Sequence, residues 1–140
     1  MLKAVLDTNV VLSAHLNSEG PPRIILDLVF SGYFRCFVSK PLLEEYEEVL
    51  KRPRFERDPR EIARSIRLMR NAAILVVPRK RLKITRDPDD NKVLECALEA
   101  RADYIVTGNT RDFPEKFQDI RIIPPRRFLT ILASGPTGAD

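Results

Sequence analysis

The chain has 140 residues, 44% of them hydrophobic and 31% charged, with a net charge of +4. That is one domain's length with enough apolar material for a real core, and no apolar run approaches the ~20 residues of a membrane-spanning helix. The opening Met1-Leu2-Lys3-Ala4-Val5-Leu6 enters a strand-like run directly, without a signal-peptide layout, so a cytoplasmic location without a membrane partner is the expectation.

Two cysteines, Cys36 and Cys96, lie in separate apolar segments and read as reduced core residues. His15 is the only histidine. A metal in this chain would therefore be held mainly by oxygen, which favours Mg²⁺ or Mn²⁺ over zinc. The basic balance is compatible with a nucleic-acid partner and does not by itself require one.

In chain order, Lys3–Leu6 reads as a buried strand, Val10–Leu16 as a short helix and Arg23–Ser31 as a second helix stopped by Gly32. Phe34–Val38 is strand two. Ser39 is the expected N-cap of a helix over Pro41–Lys51, which Pro53 ends. Pro59–Asn71 is a helix with Ile62, Ile66 and Met69 on one face and Arg60, Arg64 and Arg67 on the other. Ala73–Val77 is strand three and Pro78–Asp89 a loop. Asp90 or a neighbour caps a helix over Asn91–Ala100. Tyr104–Val106 is strand four, Arg121–Ile123 strand five and Pro125–Ala133 the last helix. Residues 134–140 are expected to form a disordered tail after one domain over 1–133. The alternation predicts an α/β fold with a mostly parallel sheet of about five strands flanked by helices. Right-handed crossovers bring the C-terminal strand ends to one edge, where ligands of open sheets bind.

Carboxylates gather at the expected edge. Asp7 follows strand one, where an Asp serves either as a helix cap or as a group facing the crevice. On the helix wheel of Pro41–Lys51, Glu44 and Glu48 point to solvent, while Glu45 and Glu47 flank the apolar stripe; Glu45 lies nearer strand two. The turn Arg86-Asp87-Pro88-Asp89-Asp90-Asn91 carries three acids, with Asp90 spaced to face the sheet edge and Asp87 held extended before its proline. Capping explains one such Asp but not three. After strand four, Gly108 suits a tight turn, which places Asn109 and Asp112 near the same edge. Carboxylates drawn together repel one another, and a divalent cation is the usual compensation.

Four ordered motifs carry a family likeness: Val5-Leu6-Asp7-Thr8-Asn9, Ser39-x-x-Leu42-Leu43-x-Glu45-x-x-x-Val49-Leu50, Asp87-x-x-Asp90-Asn91-x-Val93-Leu94-x-x-Ala97, and Ala102-Asp103-Tyr104-Ile105-Val106-Thr107-Gly108-Asn109. Together they resemble the PIN-domain family over about Leu2 to Leu132, which implies a Rossmann-like three-layer sandwich. The resemblance implies a Mg²⁺- or Mn²⁺-dependent endoribonuclease, often the toxin of a toxin–antitoxin pair, with an antitoxin partner and homodimers. It places metal ligands at Asp7, Glu45 and Asp90. The family's fourth acidic position falls on Asn109, a departure: Asn109 can still offer one neutral oxygen, Asp112 three residues on can substitute for it, and Asn9, Asp87 and Thr107 are further candidates for the fourth ligand or for supporting groups. Asp7, Glu45, Asp90 and Asp112 are the candidate catalytic residues.

The loop into the acidic turn holds Arg79, Lys80, Arg81, Lys83 and Arg86, and with Arg111 these suit an RNA backbone approaching the carboxylates. The stripe of Arg57, Arg60, Arg64 and Arg67 either extends that path or is a solvated face paired with nearby Glu. Aromatic residues are few, so base stacking is expected to be limited. A haloacid-dehalogenase-like phosphotransferase wants a second Asp two residues after the first, where Asn9 stands. A response-regulator receiver wants an Asp after strand three, which here ends in Val77-Pro78. The non-enzymatic alternative is a PIN-like domain that binds RNA or protein without cutting, and Asn109 is the residue that supports it.

Overall fold

A computed structural model describes residues 1–134, so most of the expected tail lies outside the described residues. Along the chain run β1 (Lys3–Leu6), α1 (Thr8–Leu16), α2 (Pro21–Phe30), β2 (Arg35–Val38), α3 (Lys40–Leu50), α4 (Pro59–Ala72), β3 (Ile74–Leu75), α5 (Pro88–Ala100), β4 (Tyr104–Val106), β5 (Lys116–Phe117), β6 (Ile120–Ile123) and α6 (Pro125–Ala133). The strands form one six-stranded sheet in the order β3-β2-β1-β4-β6-β5. All neighbours are parallel except β5, which pairs antiparallel with β6.

The central strands are apolar without alternation because helices cover them. Ala4, Val5 and Leu6 in β1 and Ile105 and Val106 in β4 are fully buried. The helix α5 packs against β1, β2 and β4 through Val93, Leu94, Cys96 and Ala97. The helix α4 follows its predicted pattern: Ile62, Ile66 and Met69 are buried, while Arg60, Arg64 and Arg67 are exposed. Ser39 caps α3, accepting from the Leu42 N–H at 3.2 Å. Gly32, at φ +72°, ends α2: its own N–H reaches Val29 O and the Tyr33 N–H reaches Leu28 O, the paired bonds of a left-handed helix stop. Among the described residues no helix is long and apolar enough to cross a membrane.

The strand order reverses between β1 and β4, the kind of position at which open α/β sheets bind ligands. Their register pairs Leu6 with Val106, so the next residues of both strands, Asp7 and Thr107, emerge side by side.

Several expectations need correction. The strand expected over Ala73–Val77 is only Ile74–Leu75, and both residues are exposed because β3 is an outer strand with one neighbour. The expected helix start at Asn91 moves back to Pro88: Asp87 is the cap, accepting from the Asp89 N–H at 2.9 Å, which puts Asp90 inside the first turn. The sheet has a sixth strand, β5, where irregular chain was expected. Gly108 does not adopt a positive φ, so the turn after β4 does not depend on glycine's conformational freedom.

Candidate active site

Asp7 is the best-fixed group at the switch point. It is 5% exposed and caps α1, with Oδ1 accepting from the Thr8 N–H at 2.7 Å. Its other oxygen, Oδ2, accepts from the Thr107 hydroxyl at 2.7 Å and from the Asn9 amide at 3.1 Å. Asn9 also donates to Thr107 Oγ1 at 3.3 Å, and its own carbonyl oxygen accepts from the Gly108 N–H at 3.0 Å. The Asn109 N–H donates to Thr107 Oγ1 at 3.0 Å. Cap and candidate ligand are thus the same residue: one oxygen is used in the cap, and the other is held by Asn9 and by Thr107, the residue that follows β4. From below, the buried Tyr46 hydroxyl donates to the Leu6 carbonyl, tying α3 to the residue before Asp7.

Burial pushes the Asp7 carboxyl above its ordinary range, the Thr107 and Thr8 hydrogen bonds oppose this, and the charges of Asp112 and Asp87 add to it. Asp90 is pushed up to about 7, first by desolvation and then by Asp7, Asp87, Asp112 and Asp89. Asp87 and Asp112 thus act through space on both Asp7 and Asp90, and Asp7 acts on Asp90, across three separate segments. None of the four ion pairs among the described residues includes any of them. Asp87 and Asp112 are exposed, and Asp90 is half-buried.

Glu45 is buried, while Glu44 and Glu48 are exposed and Glu47 pairs with Lys51 at 3.0 Å. Desolvation raises the Glu45 carboxyl, and the charge that acts on it most is Asp89, opposed by Lys92. Its electrostatic neighbours are thus the outer side of the acidic turn, not Asp7. Among the described residues no three His, Cys, Asp or Glu side chains stand close enough together to hold one ion. Asp7, Glu45 and Asp90, the trio expected from the sequence, do not form such a group among the described residues. Asn109 is exposed at the start of a 3-10 turn over Thr110–Asp112, which carries Arg111 and Asp112 on the surface.

The donor chemistry nevertheless suits a hard divalent cation. The mutually repelling groups offer only oxygen and lack a protein cation within salt-bridge distance. Cys36 and Cys96 are buried with thiols pushed up to about 12, so neither is a reactive thiolate. His15 lies elsewhere, its ring nitrogens bonded to Val11 O at 2.7 Å and Ser65 Oγ at 2.5 Å.

Sequence reasoning missed the residues that shape the basic loop. Asn91, Glu95 and Glu99 on α5 accept hydrogen bonds from its backbone. Their four-residue spacing along one helix face was the available signal.

A PIN-domain family model matches residues 3–111. The chain belongs to the PIN-domain family. It is also 31% identical over 111 residues to an uncharacterized protein of Methanocaldococcus jannaschii, MJ1680, covering 77% of this chain and 71% of that protein. The match runs from β1 to the turn after β4, the same span that supplies Asp7, Asp87, Asp90 and Thr107. PIN domains are in general nucleases that act with divalent metals on RNA, so the acidic switch point of this PIN domain is where such chemistry is to be sought.

Proposed function

We propose that this PIN domain is a Mg²⁺- or Mn²⁺-dependent endoribonuclease whose candidate catalytic groups are Asp7, Asp90 and Asp112, with Glu45 at the margin. One observation supports the reading: Asp7 is held at the sheet's switch point by three hydrogen bonds, carboxylates of two other segments act through space on it and on Asp90, and none of Asp7, Asp87, Asp90 and Asp112 is ion-paired among the described residues. A bound divalent ion would relieve that repulsion and supply an activated water for phosphodiester hydrolysis. Asp7, with its three donors, keeps one orientation and needs no reorganisation when a substrate arrives. Asp90 and Asp112 are freer and can turn toward an incoming phosphate or ion. Lys80, Arg81, Lys83, Arg86 and Arg111 are exposed and available to phosphates. On the same reading the chain is the toxin of a toxin–antitoxin pair, forms homodimers and works in the cytoplasm.

The deciding assay is cleavage of single-stranded and structured RNA with Mn²⁺, Mg²⁺ or EDTA, comparing wild type with Asp7→Asn and Asp90→Asn. Metal-dependent cutting abolished in both variants is expected. Cutting that survives EDTA and both substitutions would overturn the metal mechanism. A second reading, an RNA- or protein-binding module that does not cut, is favoured by Asn109 at the fourth acidic position. RNA binding without metal-dependent cleavage is its signature. Light scattering tests the dimer, and co-purification with the product of an adjacent small gene tests the antitoxin.

A further inference from the structure

Between β3 and α5 the chain forms no regular element, and no backbone N–H from Val77 to Arg86 reaches a backbone carbonyl. It is held instead by three side chains of α5 at four-residue spacing, which puts them on one helix face. Asn91 Oδ1 accepts from the N–H groups of Thr85 at 2.9 Å and Ile84 at 3.2 Å and from the Thr85 hydroxyl at 2.9 Å, while the Asn91 amide donates to Thr85 O at 3.3 Å. Glu95 Oε2 accepts from the Leu82 N–H at 2.8 Å. Glu99 Oε1 accepts from both the backbone N–H and the guanidinium of Arg79, at 3.1 and 3.2 Å. Asn91 and Glu95 are themselves buried. The Thr85 hydroxyl also lies 2.8 Å from the carbonyl of Asp87, the cap of α5, and its one proton is shared between that oxygen and Asn91 Oδ1, so the strap ends at the acidic turn.

This arrangement divides the cations. Arg79 pairs at the surface with Glu99, whose carboxyl it holds below the ordinary range. Lys80, Arg81, Lys83 and Arg86 are exposed and take part in none of the ion pairs among the described residues. A free loop of this composition would have to be ordered each time it gripped a polyanion, whereas one fixed through its backbone presents its charges already placed.

We propose that Asn91 and Glu95 are positioning residues that hold segment 79–86 as a preordered phosphate-binding strap, guiding a single RNA strand along α5 to the Asp87–Asp90 turn. The proposal rests on the RNA-cleaving reading and adds to it the strand's path and the groups that fix it. Arg79 serves as an anchor of the strap and leaves phosphate binding to its neighbours.

The test uses the full chain, a labelled single-stranded RNA in EDTA to prevent cutting, and fluorescence anisotropy across a salt series. Amide hydrogen exchange is measured in parallel. In wild type the amides of Leu82, Ile84 and Thr85 exchange slowly. Glu95→Leu removes protection at Leu82, and Asn91→Leu removes it at Ile84 and Thr85. Both weaken RNA binding and flatten the dependence of log K on log[salt] by about 0.7 for each phosphate that the strap no longer neutralises. The sign discriminates: deleting the Glu95 charge should by simple electrostatics tighten RNA binding, so a drop in affinity identifies positioning. Glu95→Gln keeps an acceptor for Leu82 and binds at least as tightly as wild type. Lys83→Gln, an exposed change that leaves the fold intact, also lowers the slope by about 0.7. Unchanged affinity and slope in Asn91→Leu and Glu95→Leu, with amide protection gone, would overturn the strap while leaving the nuclease reading standing, as would an unchanged slope in Lys83→Gln. A wild-type protein that binds no RNA would overturn both.

Discussion

The Thr107 hydroxyl donates to Asp7 Oδ2 at 2.7 Å, joining two residues 100 positions apart at the point where the sheet reverses its strand order. The bond is a direct consequence of the parallel β1–β4 register, which brings the residues after Leu6 and Val106 out side by side. It stabilises the ionised form of a carboxylate that burial otherwise disfavours.

Thr107→Val keeps the shape and removes the donor. It is expected to destabilise the fold by about 1–3 kcal/mol at neutral pH, the usual cost of leaving a buried acceptor short of a partner. The Asp7 carboxyl, deprived of an interaction that lowers it, titrates at still higher pH. Urea unfolding and carboxyl NMR titration measure the two effects, and Thr107→Ser should restore most of both.

Tyr46→Phe removes the buried hydroxyl that donates to Leu6 O and leaves that carbonyl without this donor. A destabilisation of about 1–2 kcal/mol is expected from equilibrium unfolding. Because Leu6 precedes Asp7, the proposed nuclease activity should fall more than the residual folded fraction alone accounts for.

Asp90 sets a pH dependence of stability. Its folded pKa of about 7 lies above the ordinary 3.8, so the folded state binds the proton more tightly than the unfolded chain. Its stabilising contribution is complete below about pH 3.8 and is lost as the pH rises through 7. In EDTA, then, melting temperature should fall between pH 5 and pH 8. Asp90→Asn should reduce that fall and raise the melting temperature at pH 8 by about 2–6 °C. A slope identical to wild type would show that the acidic turn is not the source.

Two glycine substitutions should differ. Gly32→Ala forces a side chain into the left-handed region at φ +72° and should cost about 1 kcal/mol or more. Gly108→Ala meets no such strain, and its new methyl would lie 3.5 Å from Asn9 Oδ1, an ordinary van der Waals separation. Its cost should stay within about 0.5 kcal/mol. Thermal melts of the two variants provide the comparison.

Much of the architecture was legible because it is written in local periodicity. The buried run Lys3–Leu6, the stripe Ile62-Ile66-Met69 and the Ser39 cap each depend on residues within a few positions of one another. The β5–β6 hairpin was not legible. Its strand Lys116–Phe117 is two residues long, and its turn places Gln118 at φ +54°, where Asn or Gly would have been the recognisable signal. The Asp87 cap was hidden by a turn with several acids equally able to serve.

The sequence by itself determined that this chain folds as an α/β PIN domain with Asp7 at the end of its first strand, since strand and helix periods and four short motifs suffice for that. Only the tertiary structure decided what surrounds Asp7. Register across β1 and β4 gave it Thr107, charge coupling linked it to Asp87, Asp90 and Asp112, and the charge that acts most on Glu45 became that of Asp89. Periodicity fixes which face of an element a residue occupies, but the distance between faces of different elements is set by how they pack, and carboxylate chemistry depends on that distance.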